Sequence, residues 1–437
     1  MKAEKKYLKV GAVSPRIRLG DVAANVRTCI SEAERAAQLG VKLLAFPGFT
    51  LTGATCLDLF NYSILAEHAE RGLEEFITAT ADLDMVSVIG MPCGSCGEYR
   101  AVVYRGGLIG IVLADCYPED FDTYSTVDGC ATVICAGRKC KVLENGIFKH
   151  PFADASVGFF GECDPYEDGA HIIIDSPIAE AVIGSRADDL ENAAVYSCAS
   201  DVAYVLVNAG IGESTTDAVY SAHNVIADRG EILAEAKPFA ADSLAVADVL
   251  IADADEIVYE IKAEMEDSER PRRRDYFLPE DKEEQAEACR EALEIQAQGL
   301  AARIERSYSK AMVIGVSGGL DSTLALLVCA RAADILNMPR TSIVGVTMPC
   351  FGTTKRTKSN AEKLCEALGT TLRVVDIKAS VTQHLADIGH DGVTPDVTYE
   401  NAQARERTQV IMDIANMTSG LVVGTGDLSE LALGWAT

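Results

Sequence analysis

The chain has 437 residues, 48% of them hydrophobic, enough for two or three domains with large cores. Its 66 acidic and 39 basic residues give a formal net charge of −27, a field that repels phosphate backbones and anionic lipid. Nucleic acid and membranes are therefore excluded as expected partners, while a local cationic site for an anionic ligand stays open.

The N-terminal "MKAEKKYLKVGAVSP" has no apolar stretch of signal-peptide length, and no window offers about 20 uninterrupted apolar residues. The 14 cysteines are scattered, which fits reduced thiols in a cytoplasmic protein better than a disulfide framework. Cys93 and Cys96 have CxxC spacing, but no second pair lies near enough to complete a zinc site. Cys130, Cys135 and Cys140 are spaced too widely for one site.

The first half alternates strand-like and helix-like stretches. "YLKVGAVSP" reads as a strand, "DVAANVRTCISEAERAAQLG" as an amphipathic helix ending at Gly40, and "VKLLAFPG" as a second strand. Helical residues near 64–83 lead to the strand "MVSVIGMP", and "EYRAVVYRGGLIGIVLA" reads as a hairpin turning at Gly106-Gly107. Further strands are expected at "AHIIID", "AEAVIG", "VAYVLVNAG" and "AHNVIADRGEILAEA". Few helices and many buried strands predict an α/β sandwich over 1–265. The charged, proline-bearing stretch 266–284 predicts an exposed linker. From 285 to 437, a long helix precedes the strands "AMVIGVS", "SIVGVTMP", "TLRVVDI" and "LVVGTG", each near a helical stretch. That pattern predicts a doubly wound parallel sheet.

"VIGVSGGLDSTLALLV" carries the chemistry of the second half. A buried strand ends at Val316, and Gly318 and Gly319 let the backbone turn tightly against an anion. A helix then begins near Ser322, presenting free amides and its positive dipole end. Ser317 and Ser322 add hydroxyls, and Asp321 places a carboxylate where Mg²⁺ bound to a phosphate would sit. The Gly-Lys-Ser/Thr ending of a Walker loop is absent.

The string Ser317-Gly318-Gly319-Leu320-Asp321-Ser322 resembles the pyrophosphate loop of the ATP pyrophosphatase family. The resemblance implies cleavage of ATP between its α- and β-phosphates, activation of a carboxylate or carbonyl oxygen as an adenylate, and displacement by a nitrogen nucleophile. "TMPCFGTTKRTKSNAEKLCEALG", "YENAQARERTQVIMDIAN" and "LVVGTGDLSELALGWAT" look like the NAD synthetase branch, so that the resemblance spans 285–437. It implies Mg²⁺ on Asp321 and Glu430, ATP contact by Thr425, and nucleotide pockets lined by Asn401, Gln403 and Arg405. Lys355, Arg356 and Lys358 fit either phosphate neutralisation or a solvated helix start.

"VKLLAFPGFTLTGATCLDLF", "VIGMP", "GLIGIV" and "VNAGIGESTTDAVYSAHNVIADRGEILAE" resemble the nitrilase-like glutaminase domain of glutamine-dependent NAD synthetase. The resemblance implies a glutamate base, a lysine and a cysteine nucleophile. Gly48 stands where the glutamate is expected and Ala114 where the lysine is. Gly184 and Ser185 stand where the cysteine should end "AEAVIGS", and Cys198 lies off that position. Without carboxylate or lysine, no thiolate and tetrahedral intermediate can be generated and held, so this half is predicted not to hydrolyse glutamine.

The resulting expectation is ATP- and Mg²⁺-dependent amidation of deamido-NAD to NAD, with ammonia rather than glutamine as the nitrogen source, in a homo-oligomer. The rivals are an ATP pyrophosphatase with another acceptor and a degenerate nucleotide-binding paralogue that partners an active subunit. The sequence stops at Thr437 with four visible strands and an open sheet edge, from which an incomplete C-terminus is expected.

Overall fold

The computed structural model describes residues 6–93, 97–114, 125–127, 130–143, 146–151, 153–163, 165, 167–252, 279, 281–351 and 355–434. The chain divides into two compact units, Met1–Phe277 and Leu278–Thr437. The stretch expected as a linker lies largely outside the described residues, as do Cys96 and the segment following Ala114. Among the described residues no helix is long and apolar enough to cross a membrane.

The first unit runs β1 (Lys6–Ala12), α1 (Val22–Gln38), β2 (Leu43–Ala45), α2 (Ser63–Ala79), β3 (Val86–Cys93), β4 (Gly97–Tyr104) and β5 (Gly107–Ala114). A small antiparallel sheet follows, made of β6 (Ser125–Val127), β7 (Cys130–Cys135) and β8 (Arg138–Lys141). Then come β9 (Phe148–Lys149), β10 (Ser156–Phe159), β11 (Ile172–Asp175), α3 (Ser185–Ala199), β12 (Ala203–Val207), β13 (Asn224–Asp228), β14 (Glu231–Ala236) and β15 (Ala245–Ile251). They form two six-stranded sheets, ordered β15-β1-β2-β3-β4-β5 and β14-β13-β12-β11-β10-β9. In each, three strands pair in parallel (β1 to β3, β10 to β12) and the flanking strands run antiparallel.

Val10, Leu43, Val88 and Val112 from the first sheet meet Val157, Ile172, Val205 and Ile226 from the second in one buried layer. Val26, Ala33, Leu73 and Phe76 of α1 and α2 cover the other face of the first sheet against Leu44 and Ile89. Ala193 of α3 covers the outer face of the second against Ile173 and Leu206. This is the expected nitrilase-like sandwich. Because both faces of each sheet are covered, its central strands read as continuous apolar runs.

Local chemistry sets the element ends. The Asp21 carboxylate accepts from the Ala24 amide at 3.1 Å and caps α1. The β4–β5 hairpin turns at Arg105-Gly106, both with positive φ (44° and 71°), one residue before the expected pair; Gly107 already pairs with Tyr104. The strand expected at "AEAVIG" is absent. After β11 the chain crosses to α3 without entering a sheet, and Val182 and Ile183 are 54% exposed, so apolar residues there mark surface rather than core.

The second unit runs α4 (Lys282–Arg306), β16 (Ala311–Gly315), α5 (Leu320–Ile335), β17 (Ile343–Thr347), α6 (Lys355–Leu368), β18 (Thr371–Val374), α7 (Lys378–Asp387), α8 (Val397–Thr418), β19 (Gly420–Val423) and α9 (Leu428–Leu433). Its four strands are all parallel, in the order β18-β17-β16-β19. Ile304, Leu326 and Cys329 pack on one face of the sheet, and Val381, Leu385 and Ile414 on the other. The expected doubly wound architecture is observed. The strand order reverses between β16 and β19, and such a reversal opens a crevice at the carboxyl ends of the strands.

Ile314 of β16 is completely buried. Ile314→Ala is expected to cost about 2–5 kcal/mol of stability in urea titration; a loss below about 1 kcal/mol would contradict this packing.

Candidate active site

The phosphate-binding string lies at that reversal. β16 ends at Gly315, and the Val316 amide donates to the Val346 carbonyl at 2.9 Å, holding the loop base to β17. Gly318 takes φ +81°, a conformation glycine adopts without Cβ strain. Gly319 caps α5 with no side-chain acceptor, so the first-turn amides of α5 face outward with the positive end of its dipole. The Ser322 hydroxyl donates to the Gly319 carbonyl at 3.2 Å and lies 3.1 Å from the Ser317 hydroxyl. Asp321 is exposed in the first helical turn. The result is a rigid cradle of amides and hydroxyls with one carboxylate at its rim.

The register of β16 with β19, from Ala311 opposite Gly420 to Ile314 opposite Val423, brings the loop holding Thr425 to the same sheet end. Asp427 accepts from the Glu430 amide at 2.7 Å, and the Asp427 amide donates to Glu430 Oε2 at 3.2 Å. Glu430 is thus part of a capping box for α9. Among the described residues no three His, Cys, Asp or Glu side chains gather as a metal cluster. Asp321 in the first turn of α5 and Glu430 in the first turn of α9 supply two carboxylates from the segments that follow β16 and β19. Such a set fits Mg²⁺, which takes its remaining ligands from water and substrate phosphates.

α8 borders a cavity of about 380 Å³ lined by Phe351, Pro395, Tyr399, Glu400, Gln403 and Arg407. Phe351 stacks on Tyr399 with ring centroids 5.7 Å apart and planes at 26°. Gln403 is buried and donates to the Tyr399 carbonyl at 3.1 Å. Of the three expected pocket residues only Gln403 lines this cavity; Asn401 and Arg405 lie on another stripe of α8. Arg407, one turn beyond Gln403, went unnoticed in the sequence, although its i,i+4 spacing places it on the same stripe. The side chains of Lys355, Arg356 and Lys358 lie outside the described residues.

In the first unit, Gly48 and Ala114 come together around a residue that sequence reasoning missed. Glu98 on β4 lies opposite Ala114 in the β4–β5 register. A Cβ built on Gly48 would stand 2.7 and 2.9 Å from the two Glu98 carboxylate oxygens. The Glu98 and Arg100 side chains are 8% and 12% exposed, with Arg100 Nε 3.6 Å from Glu98 Oε1. The Arg100 guanidinium sits 5.3 Å over the ring of Phe159 at the end of β10, and its Nε and Nη1 atoms are buried without hydrogen bonds. Burial raises the nearby Asp175 carboxyl above its ordinary value, partly offset by a hydrogen bond donated by the Tyr204 hydroxyl and by the Arg100 charge. Gly184 does not end a strand: it is the left-handed N-cap of α3, which covers the outer face of the second sheet. The third expected position is therefore corrected. The second-sheet residue at this centre is Phe159.

The profile of the NAD synthase family matches residues 292–437. A curated relative, the glutamine-dependent NAD(+) synthetase of Mycobacterium leprae, is 32% identical over 99% of this chain and 71% of its own length. The chain belongs to the glutamine-dependent NAD(+) synthetase family. The synthetase of that name from Xylella fastidiosa is 27% identical over 99% of this chain and 75% of its own. The crystal structure of a glutamine-dependent NAD(+) synthetase from Cytophaga hutchinsonii has the same fold. It matches with a TM-score of 0.78 at 19% identity, covering 99% of this chain and 77% of that one. This member of the synthetase family is an ATP-dependent ligase that forms NAD.

Gly318→Ala forces a side chain into the left-handed region, at roughly 1–2 kcal/mol. ATP affinity, measured by calorimetry, is expected to fall about tenfold, and unchanged affinity would contradict the cradle.

Proposed function

We propose that the second unit amidates deamido-NAD with free ammonia, through an adenylate built on the cradle at the β16–β19 reversal. That cradle, with Glu430 in the first turn of α9, is the observation that carries the reading. A carboxylate oxygen of the nicotinate ring attacks the α-phosphorus of ATP, and the bond to the bridging oxygen breaks so that pyrophosphate leaves. Ammonia then adds to the activated carbonyl carbon, AMP departs with the former carboxylate oxygen, and a proton is released to solvent.

Charge on the departing pyrophosphate meets the Ser317 and Ser322 hydroxyls, the amides around Gly318 and Gly319, and the N-terminus of α5. Asp321 and Glu430 would hold Mg²⁺, which supplies charge neutralisation for the phosphates when bound. Thr425 contacts ATP. The cavity beside α8 takes a planar nucleotide ring between Phe351 and Gln403, with Arg407 as the cation for an anionic substrate group. Asn401 and Arg405 contact other parts of the nucleotides from their own stripe of α8.

Ammonia is favoured because position 48 carries no carboxylate and position 114 no amine. We further propose functional limits of 1–265 for the nitrilase-like domain and 285–437 for the synthetase domain, joined by a linker over 266–284. We place the protein in the cytoplasm as a homo-oligomer.

The test is NAD formation from deamido-NAD and Mg-ATP. Ammonium chloride is expected to support it and glutamine is not. NAD formation from glutamine would overturn the nitrogen assignment, and nucleotide binding without product from either source would favour the degenerate paralogue. Asp321→Asn and Glu430→Gln are each expected to lower kcat about 100-fold and to raise the Mg²⁺ concentration needed for half-maximal rate.

A further inference from the structure

Glu98 crowds the small residues around it. Gly48 and Gly90 would each place a Cβ 2.7 Å from a Glu98 carboxylate oxygen, closer than packed atoms allow, and at Gly90 the Cβ would also stand 2.7 Å from the Phe49 backbone nitrogen. Ala114, across the β4–β5 register, adds only a methyl group. Positions 48, 90 and 114 thus form a cradle whose volume is already taken by the Glu98 side chain.

That carboxylate is not an open base. Arg100, two residues along the same strand and on the same face, stands 3.6 Å away, and Phe159 of the opposite sheet backs the guanidinium. A second carboxylate reaching in from position 48 would meet Glu98, whose side chain is buried, at contact distance. Like charges there are strongly unfavourable. The site holds a glutamate from position 48 or one from position 98, not both.

We propose that Glu98 has taken the space of the missing side chain at position 48 and, in charge contact with Arg100, plugs the amide-hydrolysing centre of the first unit, so that glutamine and other primary amides do not enter. The proposal rests on the reading of this unit as nitrilase-like with its hydrolytic residues lost. It adds the agent that closes the site.

A double-mutant cycle in the full chain tests it. Gly48→Glu alone is expected to lower Tm by about 5 °C or more, from a buried clash of like charges. Glu98→Gly alone also lowers Tm, by leaving Arg100 without its acid. The swap Gly48→Glu with Glu98→Gly returns one carboxylate to the same space, and its Tm is expected to recover to above that of either single variant. A swap that loses the sum of the two single effects overturns the proposal. A second measurement needs no variant: wild-type protein incubated with an electrophilic glutamine analogue is expected to show no cysteine adduct by mass spectrometry and no ammonia release from glutamine. An adduct, or release of ammonia, overturns the plug. Ammonium-dependent NAD formation measured in parallel reads the synthetase site alone. Its failure beside a non-additive cycle would count against the second unit's function and leave Glu98 assigned.

Discussion

The parallel pairing of β16 with β19 is the constraint on which the synthetase chemistry depends. Neither strand carries a catalytic side chain; both are apolar and lie within the sheet. Their register brings two loops, distant in sequence, to one end of the sheet. One offers amides and hydroxyls and leads into α5 with Asp321, the other carries Thr425 and leads into α9 with Glu430. Parallel strands require helical crossovers, so α5 starts at this edge with its positive dipole end toward the crevice. The anion cradle follows from the topology.

The same geometry answers a problem set by composition. A chain with net charge −27 repels the nucleotides it is to use. Attraction therefore has to be local and short-ranged. In the proposed reading, helix-terminal amides, hydroxyl donors and Arg407 beside a stacked aromatic pair supply it within a few ångströms, where fixed dipoles outweigh the screened charge of the whole molecule.

Much of this is legible in the sequence. The strand–helix order of the second unit, the loop at 317–322 and the two-sheet sandwich follow from apolar runs bounded by Gly and Pro, which local sequence encodes directly. Three features are not. "AEAVIG" reads as a strand because its residues are apolar, yet Val182 and Ile183 face solvent; apolar content does not report burial. The stacking of Phe351 on Tyr399 joins the loop after β17 to α8, a contact created only by tertiary packing. The role of Glu98 depends on a cross-strand register and on glycines at 48 and 90, none of which has a local signature. Gly48 is legible in the sequence; the Glu98 carboxylate crowding it is not.

The crowding at Gly48 also bears on history. Once a glutamate occupies position 98 against Arg100, a carboxylate regained at position 48 by a single substitution lands on a negative charge, so the intermediate on the way back is less fit than either end state. On that proposal, renewed hydrolysis requires coordinated changes at positions 48 and 98, a ratchet made of nothing more than one buried ion pair and the absence of a Cβ.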